Sequence, residues 1–379
     1  MRYFDNAATT LIKPPEVAEA FVQALSTFGG AGRGMHQASL AAAMTVYETR
    51  EKLARFYGAA SPHQVAFSLN ATEALNVAIE SLVRPGDHVL TTAASHNSVL
   101  RPLYRKEKKG VKLSILPLSK QGSMNYDQLD VMLSQNVSLM VLTHASNLTG
   151  EIYDLQRVAA SCKKANVVLV LDAAQTGGHL SFDMQKTGVD VVVFTGHKGF
   201  FGPQGTGGLC VADHIDLAPY KVGGSGTHSY DKHHPTHMPE KLEAGTLNSH
   251  GIAGLSAGID YIEGYGVQGI AQKITRLTTR FRQGALTIKG IKIYGNPIKE
   301  NCGIVALNIA GIDAAECASY LDYKHGICVR AGAHCAPLMH EALGTAQCGA
   351  LRFSFSSFNT EVEIDSTLEV LDAIAHENF

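Results

Sequence analysis

From about residue 60 to residue 212 the chain alternates short, continuous apolar runs with amphipathic stretches. Val65–Ser68, His88–Thr91, Val111–Leu116, Leu139–Thr143, Val167–Leu171 and Val189–Phe194 predict strands. Thr72–Val83 and Leu155–Ala165 predict helices between them. Apolar strands without polar alternation are buried on both faces, so the pattern predicts an α/β fold with a mainly parallel central sheet covered by helices. In such sheets ligands bind beyond the carboxyl ends of the strands. That rule singles out Asn70, His96, Asn147, Asp172 and Lys198.

Upstream, Pro14-Pro15-Glu16 opens a helix whose apolar face is Val17, Phe21, Leu25 and Phe28, and a second helix spans His36–Phe56. The stretch Gly223–Pro239 reads as a loop. Beyond Gly245 the pattern becomes α+β. It predicts a long helix over Tyr261–Ile288, strands at Gly303–Ile309 and Leu351–Ser356, and helices at Ala314–Lys324 and Asp365–Ala375. A boundary near Ala244 gives a large domain over 14–244 and a smaller α+β domain formed by 1–13 and 245–379.

Composition narrows the function. The chain of 379 residues is 45% hydrophobic and 17% charged with a net charge of −2, an ordinary globular profile without a nucleic-acid footprint. No apolar run reaches membrane-spanning length, and the start lacks a hydrophobic signal core, so a cytoplasmic location is expected. The seven cysteines are odd in number and none form CxxC, which argues against a disulfide framework or structural zinc. His228, His233, His234 and His237 match no regular metal-ligand spacing, so no metal is expected and a substrate-gating loop is the better reading.

The chemistry concentrates in Thr195-Gly196-His197-Lys198-Gly199, at the end of an apolar strand. A lysine among small residues in a buried pocket loses its charge and suits a Schiff base to pyridoxal phosphate (PLP). Asp172, at the end of the preceding strand, can pair with a pyridinium nitrogen. Asn70-Ala71-Thr72 joins a strand to a helix, and it serves either as a phosphate site or as a simple N-cap. His96 can stack on the cofactor ring or be structural, and Asn147 and Gln175 can reach the cofactor or form turns. Arg352 in an apolar strand needs a partner, either a substrate carboxylate or a structural acid. Cys335 lies in a small-residue loop, where Arg330 and His334 can lower its thiol pKa; an inert cysteine is the alternative.

These elements in this order resemble the class V aminotransferase family of PLP enzymes, specifically its cysteine desulfurases and selenocysteine lyases. The resemblance rests on Tyr3-Phe4-Asp5-Asn6-Ala7-Ala8, Gly34-Met35-His36, Thr195-Gly196-His197-Lys198, Glu243-Ala244-Gly245-Thr246-Leu247-Asn248 and Arg330-Ala331-Gly332-Ala333-His334-Cys335-Ala336. The last run is similar to the active-cysteine loop of the group-II, SufS-like branch, one residue shorter before Pro337. The resemblance implies the PLP-dependent transferase fold type I and PLP on Lys198, with Asp172 at the pyridinium nitrogen, Gln175 at the phenolic oxygen and His96 on the ring. It places Ala71, Thr72, Thr195 and His197 at the phosphate, and Thr246 there from the partner subunit of a homodimer. Arg352, Asn147 and Arg330 would serve the substrate carboxylate. Cys335 would take sulfur from L-cysteine as a persulfide, releasing L-alanine and passing the sulfur to an acceptor protein. A selenium-specific lyase acting on L-selenocysteine is the alternative, ahead of another class V reaction or a non-catalytic sulfur-transfer scaffold.

Overall fold

The computed structural model describes residues 1–32 and 34–376. Its main sheet has seven strands, ordered Val65–Ser68, Gly207–Val211, Val191–Thr195, Val168–Asp172, Leu139–Thr143, His88–Thr92 and Lys112–Leu116. Gly207–Val211 alone runs antiparallel to its neighbours, so the other six strands point the same way. Successive side chains alternate between two cores. Leu90, Met140, Leu142, Leu169, Leu171, Val192 and Phe194 face one, and Val89, Val141, Val170, Val191 and Val193 face the other. Burial on both faces is why these runs contain no polar alternation.

The predicted helices form where caps and periodicity agree. Leu155–Ala165 starts on Asp154, which accepts the Arg157 N–H at 2.9 Å, and stops at Asn166 in the left-handed region. Gln37–Tyr57 starts on His36 and ends at Gly58, φ 68°. The long helix expected over Tyr261–Ile288 is instead two, Ser249–Tyr265 and Val267–Thr287, because Gly266 at φ 88° breaks the run. Ser249–Tyr265 packs on Pro15–Thr27 and Gln37–Tyr57.

A four-stranded antiparallel sheet, ordered Arg330–Gly332, Ala350–Ser354, Ile304–Ile309 and Ile291–Tyr294, covers a third core. Phe281 packs in a tilted pair with Phe353 at 4.7 Å, and Phe4 inserts from the N-terminus edge-on against Phe355 at 5.4 Å. Arg2–Tyr3 pairs in parallel with Ile327–Cys328, and Asp5 bridges to Ser354. The chain's first residues are thereby fixed beside the strand that carries Arg352.

No helix among the described residues is long and apolar enough to cross a membrane. The segment Gly223–Pro239 contains no helix or strand. Within it His228 and His237 pack edge to face at 5.6 Å, and among the described residues no three His, Cys, Asp or Glu side chains converge as metal ligands.

Glu243 closes the segment that follows. Its carboxylate meets the Arg50 guanidinium bidentately, at 2.8 and 2.6 Å, and accepts the Phe67 N–H at 2.6 Å, all buried. Removing one partner of a buried ion pair leaves the other charge uncompensated. Glu243→Ala is expected to cost about 3 kcal/mol of unfolding free energy, measurable by urea denaturation.

Candidate active site

Lys198 sits past the strand Val191–Thr195, on a turn pinned from outside. Thr10 binds it twice, through N–H to the His197 carbonyl (3.1 Å) and Oγ1 to the Lys198 carbonyl (3.0 Å). The turn runs so close to Gly177-Gly178 that a Cβ on Gly199 would lie 2.2 Å from the Gly177 carbonyl oxygen. Only glycine permits that approach.

A cavity of about 90 Å³ holds the Lys198 side chain. The strand ends supply its wall: Asn70, Ala71 and Thr72 beyond one strand, His96 beyond the next, Thr143 as the last residue of a third and Asn147 beyond it. Asp172, Gln175, Thr195 and His197 complete it. Thus nine of the expected residues, Ala71, Thr72, His96, Asn147, Asp172, Gln175, Thr195, His197 and Lys198, line one cavity. Thr246 does not; it lines a separate cavity of about 140 Å³ beside Thr206, Glu243 and Asn248.

Burial sets the protonation states. It lowers the Lys198 amine to about 8, against the opposing pull of Asp172 and with further lowering by Arg352 and Arg330. Burial raises the Asp172 carboxyl, while the Ala174 N–H (3.0 Å) and Lys198 lower it. His96 falls to about 4, first through burial, then through the charges of Lys198, Arg330, Arg352 and Arg101. Its Nδ1 accepts the Ser98 N–H at 3.0 Å, which assigns the ring proton to Nε2. Ser98 Oγ lies 2.7 Å from Thr72 Oγ1, tying two cavity walls together. His197, bonded to Thr9 Oγ1 at 3.0 Å, also falls to about 4 by burial beside Lys198 and Lys13.

Several polar groups are held open. Asn70 caps the Glu73 N–H at 3.0 Å rather than the amides of Ala71 and Thr72 ahead of it. The buried oxygens of Thr143 and Thr195, and Oδ1 of Asn147, have no hydrogen-bond partner. Unsatisfied groups of this kind lining one cavity mark a ligand site. They fit a phosphorylated aromatic group with a carbonyl for Lys198, which is the chemistry of PLP.

Arg352 is fully buried. Its Nη2 bonds Asp5 Oδ1 at 2.7 Å, Nη1 bonds the Asn147 carbonyl at 2.9 Å, and Nε has no partner. The structural acid weighed for Arg352 is therefore present as Asp5, 347 residues away in sequence. Arg330 stands directly across the sheet from Arg352. Like charges in register repel, and an anion between them relieves that repulsion. Asn147 is committed through Nδ2 to the His334 carbonyl at 2.7 Å. Gln175 gives its amide to the Ala7 carbonyl at 3.2 Å.

Cys335 and His334 both occupy the left-handed region, at φ 56° and 51°. Such non-glycine geometry costs about 1–2 kcal/mol per residue. The Asn97 N–H holds the Cys335 carbonyl at 2.9 Å, and Asn147 holds that of His334. His334 is driven down to about 3 by burial and the nearby Arg352, so it is neutral. The expected help from a His334 cation to the Cys335 thiol is thus absent. Cys335 lines an open space beside His96 and Ser98. Three participants escaped sequence reading: Asp5, the buried Lys13 amine without a partner, and Ser98. Only Asp5, inside the quoted Tyr3–Ala8 run, carried any signal.

The Aminotransferase class-V family profile matches residues 2–367. A probable cysteine desulfurase of Methanothermobacter thermautotrophicus is 33% identical over 98% of this chain and 94% of its own length. A cysteine desulfurase of Pectobacterium atrosepticum is 30% identical over 99% and 93%. Among solved structures, a cysteine desulfurase of Thermococcus onnurineus NA1 superposes with TM-score 0.93 at 32% identity, covering 99% of this chain and 94% of that one. The cysteine desulfurase CsdA of Escherichia coli, in its S-sulfonic acid form, gives 0.88 at 28% identity, covering 98% and 94%.

The buried and half-buried histidines make stability pH-dependent. His96, His144, His179 and His197 lie near 4 and His334 near 3, against an ordinary 6.5. Between these values the unfolded chain binds more protons. Their contribution is complete above about 6.5 and is lost as pH falls towards 4. Urea unfolding is expected to show lower stability at pH 5 than at pH 7; equal stability would contradict these assignments.

Proposed function

The chain belongs to the aminotransferase class-V family, and from that premise we propose that it is a PLP-dependent cysteine desulfurase, releasing L-alanine from L-cysteine and holding the sulfur as a persulfide on Cys335. The observation that carries this reading is the meeting of a buried amine lowered to about 8 with Asp172, beside unsatisfied polar groups, in a cavity adjoining the Cys335 space.

When bound, PLP supplies an electron sink for the bonds around the substrate's Cα. Lys198 would hold it covalently, and the same amine, uncharged in an appreciable fraction near neutral pH, moves the Cα proton. Asp172 would face the pyridinium nitrogen, Gln175 the phenolic oxygen, and neutral His96 the ring. The amides of Ala71 and Thr72 at a helix start, with Thr195 and His197, would hold the phosphate. Arg352, braced by Asp5, binds the substrate carboxylate together with Arg330 and Asn147. Cys335 Sγ, as thiolate, attacks the substrate sulfur; an S–S bond forms as the Cβ–S bond breaks, and L-alanine leaves.

We place Thr246 at the phosphate of a second copy in a homodimer, since it is off this chain's own site. Exposed large apolar residues recur over 11–47 (Val22, Met35, Met44) and over 220–230 (Val222, Tyr230), as a partner surface requires. A cytoplasmic location and an acceptor protein for the sulfur belong to the same proposal. The relatives named above carry the desulfurase name, so a selenium-specific lyase is not the favoured reading.

Alanine release from L-cysteine tests the reading. Cys335→Ala is expected to lower turnover at least about 100-fold while keeping the cofactor's visible absorbance. Lys198→Ala should lose both the absorbance of the attached cofactor and turnover. Full alanine release by Cys335→Ala would refute the persulfide route.

A further inference from the structure

The Lys198 cavity shares Thr72, His96 and Ser98 with a second, more open space of about 480 Å³. The helix Asn97–Glu107, which begins at His96, forms one wall of it. Cys335 reaches this space, its carbonyl fixed by the helix's first N–H. Two guanidiniums, Arg101 and Arg105, line the space, and among the described residues no carboxylate does. Arg105 is salt-bridged to Glu80, which also pairs with Lys106. Arg101 is exposed and forms no salt bridge among the described residues. Lys108 is exposed one turn beyond Arg105, so residues 101, 105 and 108 fall on one side of the chain leading away from Cys335.

The net charge of −2 makes this local positive field a departure from the rest of the molecule. None of the three cations is given a contact with substrate or cofactor in the chemistry above; Arg101 enters it only through the field that helps lower His96. A vestibule lined this way concentrates anions beside the thiol. Its volume falls in the small-ligand range of roughly 300–1,000 Å³. The discharge of a persulfide needs a nucleophile that is itself an anion, a thiolate.

We propose that this vestibule admits a small thiol bearing carboxylates as a sulfur acceptor, and that Arg101, with Arg105, steers it onto the Cys335 persulfide; this rests on the desulfurase reading. The acceptor's thiolate attacks the outer sulfur of the persulfide. A new S–S bond forms on the acceptor, the bond between the outer sulfur and Cys335 Sγ breaks, and its electron pair stays on Sγ. The thiolate of Cys335 is regenerated with no net oxidation or reduction. Arg101 and Arg105 act before this step, by positioning the acceptor.

The test uses PLP-loaded protein charged with L-cysteine and freed of excess by gel filtration, so that one burst of alanine counts the persulfides. Sulfur transfer is then timed to mercaptosuccinate (anionic), dithiothreitol (neutral) and cysteamine (cationic) at low and high salt. Comparing each variant with wild type on the same thiol cancels differences in thiol reactivity. In the Arg101→Gln/Arg105→Gln double variant, transfer to mercaptosuccinate should fall about three- to tenfold at low salt. Transfer to dithiothreitol should stay within about twofold, cysteamine should gain, and about 1 M salt should erase the differences. Arg101→Gln alone leaves the Arg105–Glu80 pair intact and should move the rates the same way by less. The salt dependence of the wild type provides the same reading without any variant.

An unchanged mercaptosuccinate rate at low salt, or an equal loss on dithiothreitol, overturns the proposal. A normal alanine burst followed by charge-blind transfer overturns it alone. A wild-type protein that gives no burst overturns the desulfurase reading, and this one with it.

Discussion

The site depends on buried and half-buried positive charge that the protein does not fully neutralise. Lys198, Arg330 and Arg352 act on one another and on His96 through their fields, and the carboxylates answering them are Asp172 and Asp5. Burial makes each uncompensated charge costly, and the ionisable imidazoles nearby are suppressed in response. His96, His197 and His334 are all driven neutral, and the Lys198 amine is lowered to about 8. What remains is a cavity in need of anions, and a phosphorylated cofactor and an amino-acid carboxylate both meet that need.

The fold holds this arrangement against its own repulsion. Six strands deliver their carboxyl ends to one edge, so residues from several separate connections converge with little dependence on loop flexibility. The N-terminal segment then locks the cavity from outside: Phe4 anchors in the third core, Asp5 meets Arg352, and Thr9 and Thr10 hold His197 and Lys198. The small sheet contributes Arg330 and Arg352 in register and the turn that sets Cys335. The left-handed backbone at His334 and Cys335 persists because Asn97 and Asn147 hold their carbonyls.

Much of this was legible in the sequence where burial is two-sided. The continuous apolar runs ending at Thr91, Thr143, Leu171 and Phe194 marked strands, and the strand-end rule then found His96, Asn147, Asp172 and Lys198. The strand Gly207–Val211 was not read, because its glycines look like a turn until the close packing of Phe194 and Ala66 against Gly208 is seen. The helix Asn97–Glu107 was missed too: Pro102 stands inside it and its overall composition is polar, although Val99, Leu100 and Leu103 share its buried face. Asp5 could not be paired with Arg352 by spacing, and the neutrality of His334 follows from burial that no local pattern encodes. Long-range electrostatics was the part the sequence hid.

Peptide mapping by mass spectrometry after a single turnover is the most direct test of the central claim. PLP-loaded protein given one equivalent of L-cysteine should yield alanine and place one extra sulfur atom on the peptide containing Cys335, in equal amounts. Sulfur on the peptide of another thiol, such as exposed Cys348, or alanine without protein-bound sulfur, would contradict it.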